Sequence, residues 1–295
     1  MVNGIVNVYK EKGYTSFDVV AKMRGIYHQK KIGHTGTLDP DAEGVLPVCL
    51  GKATKVCDLL TDKDKEYEAV LLLGKDTDTQ DITGEILHQA EVTVTEEEVR
   101  NVILSFVGDY EQIPPMYSAL KVNGQKLCDL ARKGITVERK ARLVRILTIE
   151  IVNMDLPRVR MKVTCSKGTY IRTLCKDIGD KLGCFGCMES LLRTRVAEFS
   201  LENAHKLSEI ENKPEAYLQP VDLVFAQYDS CVVSAEANKY IMNGNPVAIG
   251  FLLDAPAMQT GKILRLYEEN GSFIGLYEYR QDAGDMKPVK IFKEQ

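Results

Sequence analysis

The sequence predicts a mixed, largely antiparallel α/β sheet carrying a small β-rich unit at its C-terminal end. Three observations lead there. Strand-like and helix-like segments alternate irregularly, without the βαβ rhythm of a doubly wound sheet. EYEAVLLLG reads as a buried strand, and the turn-rich KDTDTQDITG behind it leads to a second strand, which favours antiparallel pairing. Near residues 210–230 the chain becomes linker-like, ENKPEAYLQPVDLVFAQYDS, and is followed by short strand signals with turns at NGN and ENGS. The expected division is therefore a main domain over residues 1–228 and a small β-rich domain over 229–295.

Taken in order, GIVNVYK is a short strand, and Thr15 with Asp18 forms a capping-box pattern that opens a helix bearing Val19, Met23, Ile26 and Tyr27 at helical spacing. GVLPVCLGKATKV resumes an apolar character after a glycine-rich loop. TVTEEEVRNVILSFVG gives the clearest helix. Thr95 and Glu98 match a capping box, Val99, Val102, Ile103, Phe106 and Val107 line one face, and Gly108 stops it. RLVRILTIEIV and RVRMKVTCS are strands, the second alternating basic and apolar residues. A helix then places Ile171, Leu174, Ile178 and Leu182 toward the core, with Gly183 as its stop.

A chain of 295 residues, 44% hydrophobic and 27% charged, can bury a full core. No apolar run approaches the ~20 residues that span a bilayer, and the first residues lack the apolar stretch of a secretory signal, so a cytoplasmic setting is expected. The eight cysteines read as reduced thiols. Cys184 and Cys187 form a lone CxxC with no second pair nearby, which favours packing over a zinc site. The net charge of −4 conceals an uneven distribution: residues 58–98 hold thirteen acids against three lysines, while 121–145 and 158–195 each carry a net +6. Two basic windows fit either solvated faces or contact with a phosphate backbone.

Residues 33–47, GHTGTLDPDAEGVLP, concentrate backbone restriction around one carboxylate. Gly33, Gly36 and Gly44 tolerate positive φ, and Pro40 and Pro47 fix φ and push Asp39 and Leu46 toward extended conformations. An ordered loop on a rigid scaffold is where reactive groups collect. On the residues alone, Asp39 is either such a group or the side chain of an Asx-type turn before Pro40. Other chemistries find no footing. LGKATK lacks the spacing of a phosphate-binding loop, no dinucleotide fingerprint is present, no second acid stands out for a glycosidase, and no nucleophile elbow accompanies His34 or His205.

GHTGTLDPDAEGVLP, LGKATK, KEYEA with LGKDTDTQDITGE, QIPPMYSALKVNGQK and CSKGTYIRTLCKDIGDKLG, in that order, resemble the successive motifs of the bacterial tRNA pseudouridine synthase B family over roughly residues 4–200. The resemblance implies an enzyme that isomerises the T-loop uridine of tRNA, with Asp39 as the catalytic aspartate, Tyr67 packed on the flipped base and Arg172 paired with the carboxylate. It also implies an apolar pocket residue at Leu191, a histidine near the flipped nucleotide at His34, and a first-motif lysine at Lys10 on the substrate side. A nearby guanidinium is expected to lower the pKa of Asp39. No cofactor, metal, membrane or obligate protein partner is implied, and a monomer suffices. Residues 116–142 match the family's insertion over the T arm, and the C-terminal part more weakly resembles its PUA-like appendage. The chain departs from the pattern at Glu11, Cys128, Leu192 and Ala197. The rival readings are an RNA-remodelling protein without catalysis and a glycoside-cleaving hydrolase.

Overall fold

The computed structural model describes residues 1–293. The chain opens with β1 (Gly4–Lys10), α1 (Ser16–Ile26), β2 (Ile32–His34), β3 (Glu43–Leu50), a 3-10 turn, α2 (Cys57–Thr61) and β4 (Lys65–Leu73). The hairpin β5 (Lys75–Thr77) and β6 (Ile86–Gln89) leads to α3 (Glu96–Leu104) and β7 (Gly108–Gln112). A small excursion holds β8 (Lys121–Val122), β9 (Gln125–Lys126) and α4 (Leu127–Ala131). Then come β10 (Arg142–Asp155), β11 (Arg158–Cys165), α5 (Ile171–Leu182), β12 (Gly186–Val196) and β13 (Phe199–Ser200).

The main sheet runs β1-β3-β12-β4-β11-β10-β7, with β2 and β13 attached to β3 and β12. Every neighbouring pair along this path is antiparallel except β12 with β3, which meet in parallel at Leu192–Glu43 and Arg193–Gly44. That single parallel contact brings β3, the strand that follows the Asp39 loop, beside β12. On one face, Val99 and Ile103 of α3 and Leu174 and Ile178 of α5 pack on Leu71, Val159, Met161 and Val163 of the sheet. On the other end, Val19, Val20 and Met23 of α1 close over Val6, Val8, Leu46 and Val48. The capping boxes at Thr15–Asp18 and Thr95–Glu98 are both formed, and Gly183 ends α5 in the left-handed region at φ 75°. Val107 departs from the predicted apolar face: it lies beyond the last turn of α3 and is exposed. The strand after the KDTDTQDITG turn pairs with Lys75–Thr77 and not with β4, because positive φ at Gly74 turns the chain off the main sheet.

The C-terminal sheet runs β14 (Ser230–Val233), β16 (Ile263–Glu268), β17 (Phe273–Arg280), β18 (Asp285–Ile291) and β15 (Val247–Ala248). Its own core gathers Val233, Leu264, Leu266, Ile274 and Tyr277. A second cluster joins the two sheets, with Leu276 and Phe292 against Val224, Phe225, Val45 and Cys49. All eight cysteines are free thiols, and Cys184 and Cys187 are buried. Among the described residues no helix is long and apolar enough to cross a membrane.

Candidate active site

The loop from Thr35 to Ala42 is held from both sides by backbone chemistry. Gly36 sits at φ 129° and Gly44 at φ 108°, and a Cβ on Gly44 would meet the Arg193 carbonyl oxygen at 2.2 Å, so only glycine fits where β3 approaches β12. Gly33 differs from expectation. It lies in β2, paired with Cys49, and needs no positive φ. The Ala42 N–H donates to the Asp39 carbonyl at 3.1 Å and closes a turn, while the Gly13 N–H donates to the Pro40 carbonyl at 2.9 Å. Ser16 Oγ accepts from the Leu38 N–H at 2.9 Å and fixes the residue just before Asp39 to the first turn of α1.

Lys10 takes a different part from the one the resemblance implied. It is fully buried behind the loop, and Nζ donates to the carbonyls of Pro40 at 3.1 Å, Glu11 at 3.3 Å and Ala42. An ammonium has three donors, and all three are engaged by backbone, so none is left for a substrate. Burial pushes its pKa down to about 8, opposed by the negative charge of Asp39. Lys10 braces the loop that carries Asp39.

Asp39 emerges from this loop onto Arg172, the second residue of α5. Arg172 Nε lies 3.1 Å from Asp39 Oδ2 and Nη2 lies 3.2 Å from Oδ1, a two-pronged pair whose arginine side chain is 7% exposed and whose aspartate is 39% exposed. The guanidinium also donates to the Thr79 carbonyl at 3.1 Å, to Asp81 Oδ2 at 3.4 Å and to the Tyr117 carbonyl at 2.9 Å. One side chain thus ties together the Asp39 loop, the turn after β5 and the start of the 116–142 excursion. Asp81 is itself fixed, accepting through Oδ1 from the Thr83 N–H and from the Thr79 and Thr83 hydroxyls.

The electrostatics correct one expectation. Arg172 does pull the Asp39 pKa down, but burial outweighs it, and the net direction is upward, with the Asp81 charge adding to the rise. Arg172 limits a penalty that burial imposes. It keeps the anion available without stabilising it beyond an ordinary carboxylate.

Tyr67 on β4 stands directly across from Arg193 on β12, and Leu191 stands across from Ala69 two residues away on the same face. Tyr67 and Leu38 are buried in the apolar cluster against which Leu191 packs half-buried. His34 is half-buried at the end of β2, with Nδ1 accepting from the Gly36 N–H at 3.3 Å. Burial and the nearby Arg193 charge lower its pKa, which favours the neutral ring. The fold therefore gathers Asp39, Arg172, Tyr67, Leu191 and His34 around one end of β4. A groove lined by Leu73, Gly74, Ala90, Leu156 and Pro157 opens at the other end of that strand.

Two site residues escaped the sequence reading. Asp81 was visible only as one acid in a turn crowded with them. Arg193 is fully buried, its Nε donating to the Val45 carbonyl at 2.7 Å and its Nη2 to the Gly36 carbonyl at 3.3 Å. Their positions depend on strand order, which local patterns do not encode. Ala197, one of the departures, adopts φ 50°, a conformation that costs an alanine more than a glycine. Among the described residues no group of three or more His, Cys, Asp or Glu is arranged to hold a metal ion.

Fold and site together place one carboxylate against a guanidinium, beside a buried aromatic ring. Family models place the chain further. The TruB family pseudouridylate synthase N-terminal domain matches residues 24–171, the tRNA pseudouridylate synthase B C-terminal domain matches 172–226, and the pseudouridine synthase II TruB C-terminal model matches 230–291. The chain belongs to the TruB family of pseudouridylate synthases. It is 54% identical to the tRNA pseudouridine synthase B of Lachnoclostridium phytofermentans, covering 99% of this chain and 100% of that one. It is 46% identical to that of Alkaliphilus oremlandii, covering 99% and 98%. A solved Cbf5-Nop10-Gar1 complex contains a chain 26% identical with a TM-score of 0.71, over 98% of this chain and 85% of the other.

Proposed function

We propose that this chain isomerises the uridine at position 55, in the T loop of tRNA, to pseudouridine. The observation that carries the reading is the two-pronged contact of Arg172 with Asp39, made at the end of β4 where Tyr67 and Leu191 offer an aromatic and an apolar surface. Family membership and full-length relatives named for tRNA support it.

The isomerisation breaks the bond from ribose to a ring nitrogen and forms one to a ring carbon, with a proton leaving that carbon and the nitrogen regaining one. Nothing is oxidised or reduced. A carboxylate can serve by attacking the nucleoside or by assisting departure of the base, and either role needs the anion that Arg172 maintains in a partly dry site. The base must first leave its stack, at a cost of a few kcal/mol, and the Tyr67 ring restores part of that contact. His34, a half-buried neutral ring beside the loop, would limit the space around the flipped nucleotide.

The same reading assigns the tRNA T arm to the basic excursion, where Lys121, Lys126 and Lys133 line one shallow groove. It treats residues 1–228 as the catalytic domain and 229–295 as a PUA-like RNA-binding domain, in a cytoplasmic monomer. The test is incubation of the purified chain with unmodified tRNA transcript, followed by mapping at nucleotide resolution. Pseudouridine at the T-loop uridine is expected. Free uracil, or modification elsewhere alone, would overturn the assignment.

A further inference from the structure

Arg193 is an unusual residue to find under a base pocket. It is 1% exposed, and among the described residues no carboxylate pairs with it. Burying a guanidinium without a counter-ion is costly, so the groups that receive its hydrogen bonds matter. Two are backbone carbonyls, Gly36 in the loop and Val45 on β3, which flank Asp39 in sequence. The third neighbour is the Tyr67 hydroxyl, directly across the β12–β4 pairing, with which the guanidinium makes a side-chain contact.

Arginine has five N–H donors and no acceptor. Toward Arg193 the phenol oxygen can therefore only accept. Among the described residues no hydrogen bond takes up the phenol proton: the surrounding cluster contributes the apolar Leu38, Ala69 and Leu191, and the Asp39 carboxylate acts on the phenol as a nearby charge. A hydroxyl in this setting has its proton turned away from Arg193 and left unused until a polar ligand arrives.

We propose that Arg193 is a positioning residue that sets the hydrogen-bond polarity of Tyr67, turning the phenol proton toward the bound base so that the pocket presents a donor to a pyrimidine carbonyl. This rests on the reading that Tyr67 lines the uridine pocket. The consequence is selectivity. A uracil offers a carbonyl where a cytosine carries an amino group, and a fixed donor accepts the first and opposes the second.

The experiment compares Arg193→Lys, which keeps a donor-only cation, with Arg193→Gln, whose carbonyl can capture the phenol proton. Each is made alone and combined with Tyr67→Phe, in the full chain. Single-turnover pseudouridine formation at saturating tRNA is read beside tRNA affinity and thermal melting. Arg193→Gln is expected to be slower than Arg193→Lys by on the order of 10–100-fold, the effect of one misdirected buried hydrogen bond, with affinity unchanged. With Tyr67→Phe present, the Lys and Gln variants should react at equal rates. Equal losses with Tyr67 intact, or a difference that survives Tyr67→Phe, would reduce Arg193 to a loop brace and overturn the proposal. Should Arg193→Gln fail to fold, Arg193→Lys against wild type, with and without Tyr67→Phe, gives the same cycle, and additive effects overturn the proposal. Wild-type protein that forms no pseudouridine would overturn the functional reading beneath it, a result distinct from either.

Discussion

Two arginine–aspartate pairs in this chain share a two-pronged geometry and differ in nearly everything else. In the C-terminal sheet, Arg280 donates to Asp285 at 2.9 and 2.7 Å, across the turn between β17 and β18. In the main domain, Arg172 holds Asp39 at 3.1 and 3.2 Å. The shorter pair joins residues five apart, and its arginine is half-exposed. The longer pair joins residues 133 apart, and its arginine is buried and shared with Asp81 and two backbone carbonyls. A short ion pair does not by itself mark a site. What marks it is a guanidinium serving several chain segments at once, with a carboxylate that remains open on one side.

The largest expected effect comes from breaking the Arg172–Asp39 pair without removing its charge. Arg172→Lys replaces a planar fork by a point charge and cannot reach Asp39, Asp81 and both carbonyls together, so turnover should fall by about 10²–10³-fold while tRNA affinity changes little. A single-turnover assay with a binding measurement checks this.

Gly44→Ala attacks the scaffold beneath the pair. The added Cβ has no space beside the Arg193 backbone, and its φ is unfavourable, so unfolding free energy should drop by about 2–4 kcal/mol in denaturant titration. Retention of full stability would mean that β3 and β12 can separate without cost.

Asp39→Asn should have a smaller effect on stability, and of opposite sign. Because burial raises the folded-state pKa of Asp39 above its ordinary value of 3.8, the native state holds that proton more tightly than the unfolded chain. The favourable contribution is present below 3.8 and is lost as pH rises through the folded-state value. At neutral pH the amide should therefore melt at or above the wild-type temperature although it is inactive, and the advantage should disappear in acid. The pH–rate profile of the wild type should have its acid limb above the ordinary carboxylate range.

Least affected should be the Arg280→Ala variant. Loss of this partly exposed pair should leave pseudouridine formation within about twofold of wild type and lower the melting temperature only slightly. A large loss of activity would show that the C-terminal sheet communicates with the site.

Much of the scaffold could be read locally. Capping boxes at Thr15 and Thr95 and the stop at Gly183 are short-range chemistry, and each forms as the residue pattern predicts. The crowding of glycine and proline around Asp39 likewise announced a constrained loop. Lys10, Asp81 and Arg193 resisted such reading for one physical reason. Their partners are carbonyls and side chains brought close by strand order, 32 residues away for Lys10 and Ala42 and 148 for Arg193 and Val45. A lysine that serves its own backbone and one that serves a substrate look the same in sequence. Strand order also decided that Gly33 sits in an ordinary pairing and that Gly44 bears the steric demand.

The most direct test of the central claim is Asp39→Ala beside wild type on unmodified tRNA transcript, with pseudouridine mapped and tRNA binding measured on the same preparations. The proposed function predicts product at the T-loop uridine from wild type, none from the variant, and binding by both. Product from Asp39→Ala at a rate near wild type would contradict the assignment of this carboxylate as the centre of the chemistry.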